Sequence, residues 1–132
     1  MFESSVNTKK QGDVGLGYAI SYFSRLGWAV SIPLTDSQDY DLVVDDPDRG
    51  LRRVSIKTTS QRKSTGGYEV GLRVLGGNSK KNYVHKTADL VQYDDLFVLT
   101  EEGTMYFLPK PNVKSSIVVG KKYEKYNIGN CK

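Results

Sequence analysis

Two charged side chains in this sequence sit where a charge is costly. Asp41 stands in Tyr40-Asp41-Leu42-Val43-Val44-Asp45, and Lys57 in Val54-Ser55-Ile56-Lys57-Thr58-Thr59. An Asp46-Pro47-Asp48-Arg49-Gly50 turn lies between the runs. Two apolar runs joined by a turn predict a β-hairpin. A charge inside such a run is expensive unless it is paired or binds a metal. Side chains alternate across a strand, so Arg53, Ser55, Lys57 and Thr59 share one face, and Asp41, Val43 and Asp45 share one face of the partner. Paired, the strands let Asp41 and Lys57 point into one cleft. A carboxylate there suits a hard divalent cation, Mg²⁺ first. Such a cation lowers the pKa of a water and stabilises charge on a phosphoryl oxygen. Lys57 would orient or deprotonate that water, or neutralise a pentavalent transition state. A buried Asp–Lys pair without chemistry is the competing reading, and spacing alone leaves both open.

Other elements must position this pair. From about Gln11 to Leu26, Val14, Leu16, Ala19, Ile20, Phe23 and Leu26 recur at helical spacing. Gly27 stands where a terminating glycine is expected. Gly12, Gly15 and Gly17 weaken the first turns, which points to a close backbone approach or a later start. Trp28 to Pro33, Asp39 to Asp45, Leu51 to Thr59 and Tyr68 to Leu75 read as strands, with a turn at Ser64-Thr65-Gly66-Gly67. Gly76 to Lys86 reads as a polar, basic loop and Thr87 to Gln92 as a helical turn. Leu96 to Thr100 and Thr104 to Leu108 flank Glu101-Glu102-Gly103 and form a hairpin. Asn112 to Lys122 is open between a short helix and an extended segment, because Ile117-Val118-Val119 is β-branched. One helix followed by strands gives an α/β domain with a mixed or largely antiparallel sheet.

Composition narrows the function. The chain has 132 residues, enough for one compact domain. No run approaches the roughly 20 apolar residues of a membrane helix. Met1 to Gln11 is polar, and Cys131 is the only cysteine, so a cytosolic protein without disulfides is expected. Net charge is +4 and unevenly spread. Residues 1–60 hold seven Lys/Arg against eight Asp/Glu, and residues 61–132 hold twelve against seven. An acidic pocket beside a basic field suits a metal site that handles a polyanion; an ordinary solvated surface fits the same charge count.

The residues resemble a family. The first helix, an apolar strand ending in proline, Tyr-Asp-Leu-Val-Val-Asp, a turn and Val-Ser-Ile-Lys-Thr-Thr look like the PD-(D/E)XK nuclease superfamily. The pieces Lys10-Gln11-Gly12-Asp13, Ile32-Pro33-Leu34, Tyr40-Asp41 and Ser55-Ile56-Lys57-Thr58 are most similar to small homing endonucleases encoded in group I introns. Leu96-Phe97-Val98-Leu99-Thr100 and Tyr106-Phe107-Leu108-Pro109 look like the family's closing hairpin. The resemblance covers about residues 9–113 of a single domain, leaving 114–132 as a basic C-terminal tail. It implies a restriction-endonuclease-like core: a mixed sheet with an N-terminal helix and a C-terminal hairpin. It also implies a Mg²⁺-dependent endonuclease, with Mn²⁺ as substitute, that cuts double-stranded DNA.

On this resemblance Asp41 takes the metal-binding position and Lys57 that of the catalytic lysine. Ser55 stands where the superfamily has Asp or Glu, and intron-type members often Gln. Serine brings no charge, so Ser55, the Ile56 carbonyl and another acid would have to complete the metal shell. Asp13 is that acid or, alternatively, an N-terminal helix cap. Glu69 is a further replacement carboxylate or a solvated strand residue. Arg62, Lys63, Arg73, Lys80, Lys81, His85 and Lys86 are candidate DNA contacts. Cutting both strands of a duplex requires two sites, hence a homodimer or homotetramer. A nuclease fold that kept DNA binding and lost activity, with Ser55 as its mark, is the main alternative. A branched-DNA resolvase of the Holliday junction type is the other.

Overall fold

The computed structural model describes residues 2, 7–76 and 84–132, with backbone alone for 75, 76, 84 and 85. A long helix, α1 (Thr8–Arg25), comes first among the described elements. Asn7 caps it by accepting the Lys10 N–H at 3.0 Å. The helix therefore starts earlier than the apolar spacing predicts, and Asp13 lies past its first turn. The cap reading of Asp13 is thereby overturned. At the other end Gly27 adopts φ +81°. Its N–H donates to Ser24 O at 3.0 Å, and that of Trp28 to Phe23 O at 3.1 Å. This is a Schellman stop, and its hydrophobic contact is the stacked Phe23–Trp28 pair at 5.7 Å.

The strands are β1 (Val30–Ser31), β2 (Leu42–Asp46), β3 (Gly50–Thr59), β4 (Tyr68–Gly71), β5 (Val74–Gly76), β6 (Val84–Lys86), β7 (Asp95–Thr100), β8 (Thr104–Pro109), β9 (Ser116–Val119) and β10 (Asn127–Asn130). The main sheet runs β1-β2-β3-β7-β8-β10. Every neighbouring pair in it is antiparallel except β3–β7, which is parallel from Val54↔Asp95 to Thr59↔Thr100. Two ribbons stand apart from it, β4–β9 and β5–β6.

The central strand explains the layering. Every residue of β7 is buried, which is how a strand covered on both faces reads. Phe97 and Leu99 pack with Ala19 and Phe23 of α1. Leu96 and Val98 pack on the opposite face with Tyr68 and Val70 of β4 and Ile117 and Val119 of β9. Burying a side chain such as Phe23 or Phe97 contributes about 1.5–3 kcal/mol, and Phe23→Ala would remove the centre of one layer at about 3–5 kcal/mol.

Several boundaries differ from expectation for local reasons. The strand expected over Tyr68 to Leu75 breaks after Gly71, because the Leu72 N–H turns to Ser115 O at 2.8 Å. The first strand keeps only Val30–Ser31, and β2 begins at Leu42 rather than Asp39. The segment open between helix and strand resolves as extended β9, as its β-branched residues favour. Part of the expected basic loop pairs as β6. Residues 116–130 hold β9, a 3₁₀ turn over Lys121–Tyr126 and β10, so the expected tail completes both β layers. Among the described residues no helix is long and apolar enough to cross a membrane.

Candidate active site

A hollow of about 270 Å³ opens where β2 gives way and β3 runs on paired only with β7. Lys9, Gly12, Asp13 and Leu16 of α1 line one side, and Asp41 and Ile56 the other. The four helix residues follow i, i+3, i+4, i+7 spacing and so share one face. Gly15 brings that helix close. A Cβ there would lie 2.5 Å from Thr58 Cγ2 and 3.3 Å from Ile56 Cγ2, so only glycine admits the approach. Gly12 and Gly17 face open space. The close approach expected from three glycines therefore rests on one of them.

Asp41 closes the end of the hairpin. Its N–H donates to Val54 O at 2.9 Å, and its carboxylate Oδ2 accepts the Ile56 N–H at 2.7 Å. Antiparallel residues exchange both main-chain bonds with the same neighbour, so N–H and C=O of one strand residue lie on one side. The Ile56 carbonyl oxygen therefore faces the gap that β2 has left. Asp41 as a residue is exposed, yet packed atoms around its carboxyl partly desolvate it. That desolvation raises its pKa, opposed by the Ile56 N–H and by the charge of Lys57. Asp41 also borders a second hollow of about 200 Å³ with Thr35, Asp36 and Gln38.

Strand alternation separates the remaining candidates. Val54 and Ile56 pack toward α1, so Ser55 and Lys57 take the other face of β3. Ser55 is 3% exposed. Lys57 does not line the hollow with Asp13 and acts on Asp41 through space. It makes no ion pair among the described residues. The structure thus gathers Asp13, Asp41 and Ile56 in one hollow, with Lys57 beside Asp41 and Ser55 buried behind the strand. Glu69 is engaged by Lys63 at 2.6 Å and does not join them.

The oxygen donors here are two carboxylates and one carbonyl, all hard ligands that fit a divalent cation such as Mg²⁺. No three His, Cys, Asp or Glu residues gather as a metal cluster among the described residues. Solvent and the substrate itself would have to fill the rest of the shell.

The expected DNA contacts are spread over the segment between β3 and β7. Arg62 pairs with Glu102 at 3.4 Å, and Lys86 with Asp39 at 2.6 Å. Arg73 is exposed between β4 and β5. His85 lies in β6, where its backbone alone is described, and Lys80 and Lys81 lie outside the described residues. Sequence reasoning missed Lys9, whose helical spacing to Asp13 was the available signal. It also missed the Asp39–Lys86 bridge, whose partners lie 47 residues apart.

Comparison with known proteins places this geometry. Among solved structures, that of a bacterial homing endonuclease, I-Ssp6803I, is similar with a TM-score of 0.73. The two are 26% identical over 92% of this chain and 89% of that one. No protein of curated function matches. A family model described as PD-(D/E)XK endonuclease matches residues 6–127, nearly the whole sequence. The chain belongs to the PD-(D/E)XK endonuclease family.

Proposed function

We propose that this chain is a divalent-metal-dependent endonuclease that hydrolyses phosphodiester bonds in double-stranded DNA, site-selective in the homing manner. The observation that carries the reading is the hollow in which Asp13, Asp41 and Ile56 meet at the open end of β3. The likeness to a bacterial homing endonuclease favours the homing role.

The two carboxylates and the Ile56 carbonyl oxygen would hold Mg²⁺ or, in its place, Mn²⁺. The bound cation would supply a Lewis acid beside the scissile phosphate and favour ionisation of water. Lys57 would orient the attacking water and take its proton, or neutralise charge on the phosphoryl oxygens as the leaving P–O bond breaks. The Ile56 N–H holds Asp41 in place for this. Ser55, neutral and buried, would support the strand rather than bind metal. Arg73, with Lys80, Lys81 and His85, would contact phosphates and set position on the duplex, and the more exposed Arg62 and Lys63 would join them by exchanging Glu102 and Glu69 for phosphate. Two such sites, in a dimer or tetramer, would cut both strands.

The test is incubation of the purified protein with pooled plasmid and genomic DNA plus Mg²⁺ or Mn²⁺, beside Asp41→Ala and Lys57→Ala. Metal-dependent cleavage lost in both variants supports the reading. Salt-sensitive binding in all three without cleavage would overturn it in favour of an inactive DNA-binding protein, the outcome that the uncharged Ser55 favours. Cleavage of four-way junctions alone would favour the resolvase.

A further inference from the structure

Asp41 is the middle of the site, and the segment before it is held in an unusual way. Asp39 Oδ2 accepts from Lys86 Nζ at 2.6 Å and from the Gln92 N–H at 2.9 Å. Tyr40 packs against the core between β4, β7 and β9, with the Arg53 guanidinium 6.0 Å from its ring. Asp41 is tied to Val54 O and the Ile56 N–H. Three successive residues are thus pinned to three different parts of the molecule. Of the three anchors, the one at Asp39 runs to the β5–β6 ribbon, which carries Lys86.

We infer that Lys86 is a positioning residue: its bridge to Asp39 sets the Asp41 carboxylate against Ile56 and couples the basic β5–β6 ribbon to the site. The inference rests on the nuclease reading of Asp41. A lysine on such a ribbon would ordinarily be free for phosphate, but this ammonium is committed to a carboxylate. An anchor two residues from a catalytic group acts on its position directly, and displacement by about 1 Å can cost up to about 10²-fold in rate. The pair is partly exposed, so it contributes little to stability and its variants are expected to fold.

The experiment uses the full chain with Lys86→Met, Asp39→Asn and the double variant. Asparagine keeps an acceptor for the Gln92 N–H and removes the charge that pairs with the Lys86 ammonium. Amide hydrogen exchange at Ile56 is expected to rise about threefold or more in each single variant and no further in the double, because one bridge is lost in all three. Exchange at Leu96 and Val98, in the core, is expected to stay as in the wild type. Cleavage should fall about tenfold in each single variant and again only about tenfold in the double. Binding to a short duplex of mixed sequence should keep its salt dependence, whereas a lost phosphate contact lowers the slope by about 0.9.

Unchanged exchange at Ile56 would overturn the inference, as would losses of cleavage that multiply in the double variant. A salt slope that falls in Lys86→Met but not in Asp39→Asn would overturn it too, making Lys86 a phosphate contact. A wild type that cuts no DNA would refute the nuclease reading instead, and the exchange result would still decide the bridge.

Discussion

The two ends of β3 carry similar charge and treat it in opposite ways. At the end nearest the hairpin turn, Arg49, Arg52 and Arg53 are each paired with a carboxylate. Asp95, 1% exposed, accepts Arg49 at 3.1 Å and Arg52 at 3.0 Å. Arg49 also reaches Asp46 at 2.6 Å, and Arg53 grips Asp94 through side chain and backbone. At the far end, Asp41, Asp13 and Lys57 make no ion pair among the described residues. The closed end fixes the register of β2 and β7 against β3. The open end leaves its oxygens and its ammonium available. One strand thus carries paired charges at one end and charges without an ion pair among the described residues at the other.

The sharpest break in this contrast comes at the open end. Lys57→Ala and Asp41→Ala are expected to lower cleavage by about 10²–10³-fold or more, the cost of losing one group that stabilises a charged transition state. Their unfolding midpoints in denaturant should stay near the wild type. A large loss of stability in either would show that the open end is structural after all.

At the closed end the outcome should invert. Asp95→Ala leaves two guanidiniums without their buried partner and is expected to cost about 3 kcal/mol in denaturant unfolding. Metal-dependent cleavage per folded molecule should be retained. Smaller again is the effect at the helix. Gly15→Val must push α1 away from Thr58 and should cost about 1–3 kcal/mol. Gly17→Ala, in open space, should stabilise by about 0.5–1 kcal/mol. Equal effects at the two glycines would remove the close approach from the account of the site.

Acidity gives the smallest and most discriminating test. Arg53 holds the Asp94 carboxyl below its ordinary range, and Arg49 does the same for Asp46. A lowered folded pKa stabilises above the unfolded value of about 3.9 and is lost as pH falls through the folded value. Asp41 has the opposite sign. Its raised pKa means that the ionised carboxylate costs the fold stability at neutral pH, relieved as pH falls. Asp41→Asn should therefore unfold slightly later than the wild type near pH 7, with no advantage below about pH 3.9. Thermal melts of the two proteins across that range measure it.

What could be read beforehand follows from the range of each interaction. Asp41 and Lys57 stood out because a charge inside an apolar strand is anomalous within a few residues. The Gly27 stop and the β7–β8 hairpin were equally local. The cap alternative for Asp13 failed because apolar spacing does not locate a cap, and Asn7 precedes the apolar stripe. The Arg52–Asp95 and Lys86–Asp39 pairs bring together residues 43 and 47 positions apart, and nothing local announces such a meeting. β10 has no apolar alternation to detect. It exists because β8 offers it a backbone edge from Asn127↔Tyr106 to Asn130↔Thr104.

The parallel β3–β7 pair has a consequence for how the chain is made. Ser55 meets Leu96 and Thr59 meets Thr100, so each residue of β3 from Val54 to Thr59 waits for a partner 41 positions later. At about 5–20 residues per second of synthesis, β3 stands unpartnered along that edge for about 2–8 s. During that interval it is a bare strand with free N–H and C=O groups, open to the wrong chain. Natural sheets discourage such encounters with a lysine on the strand. β3 carries Lys57 within the stretch that waits for β7.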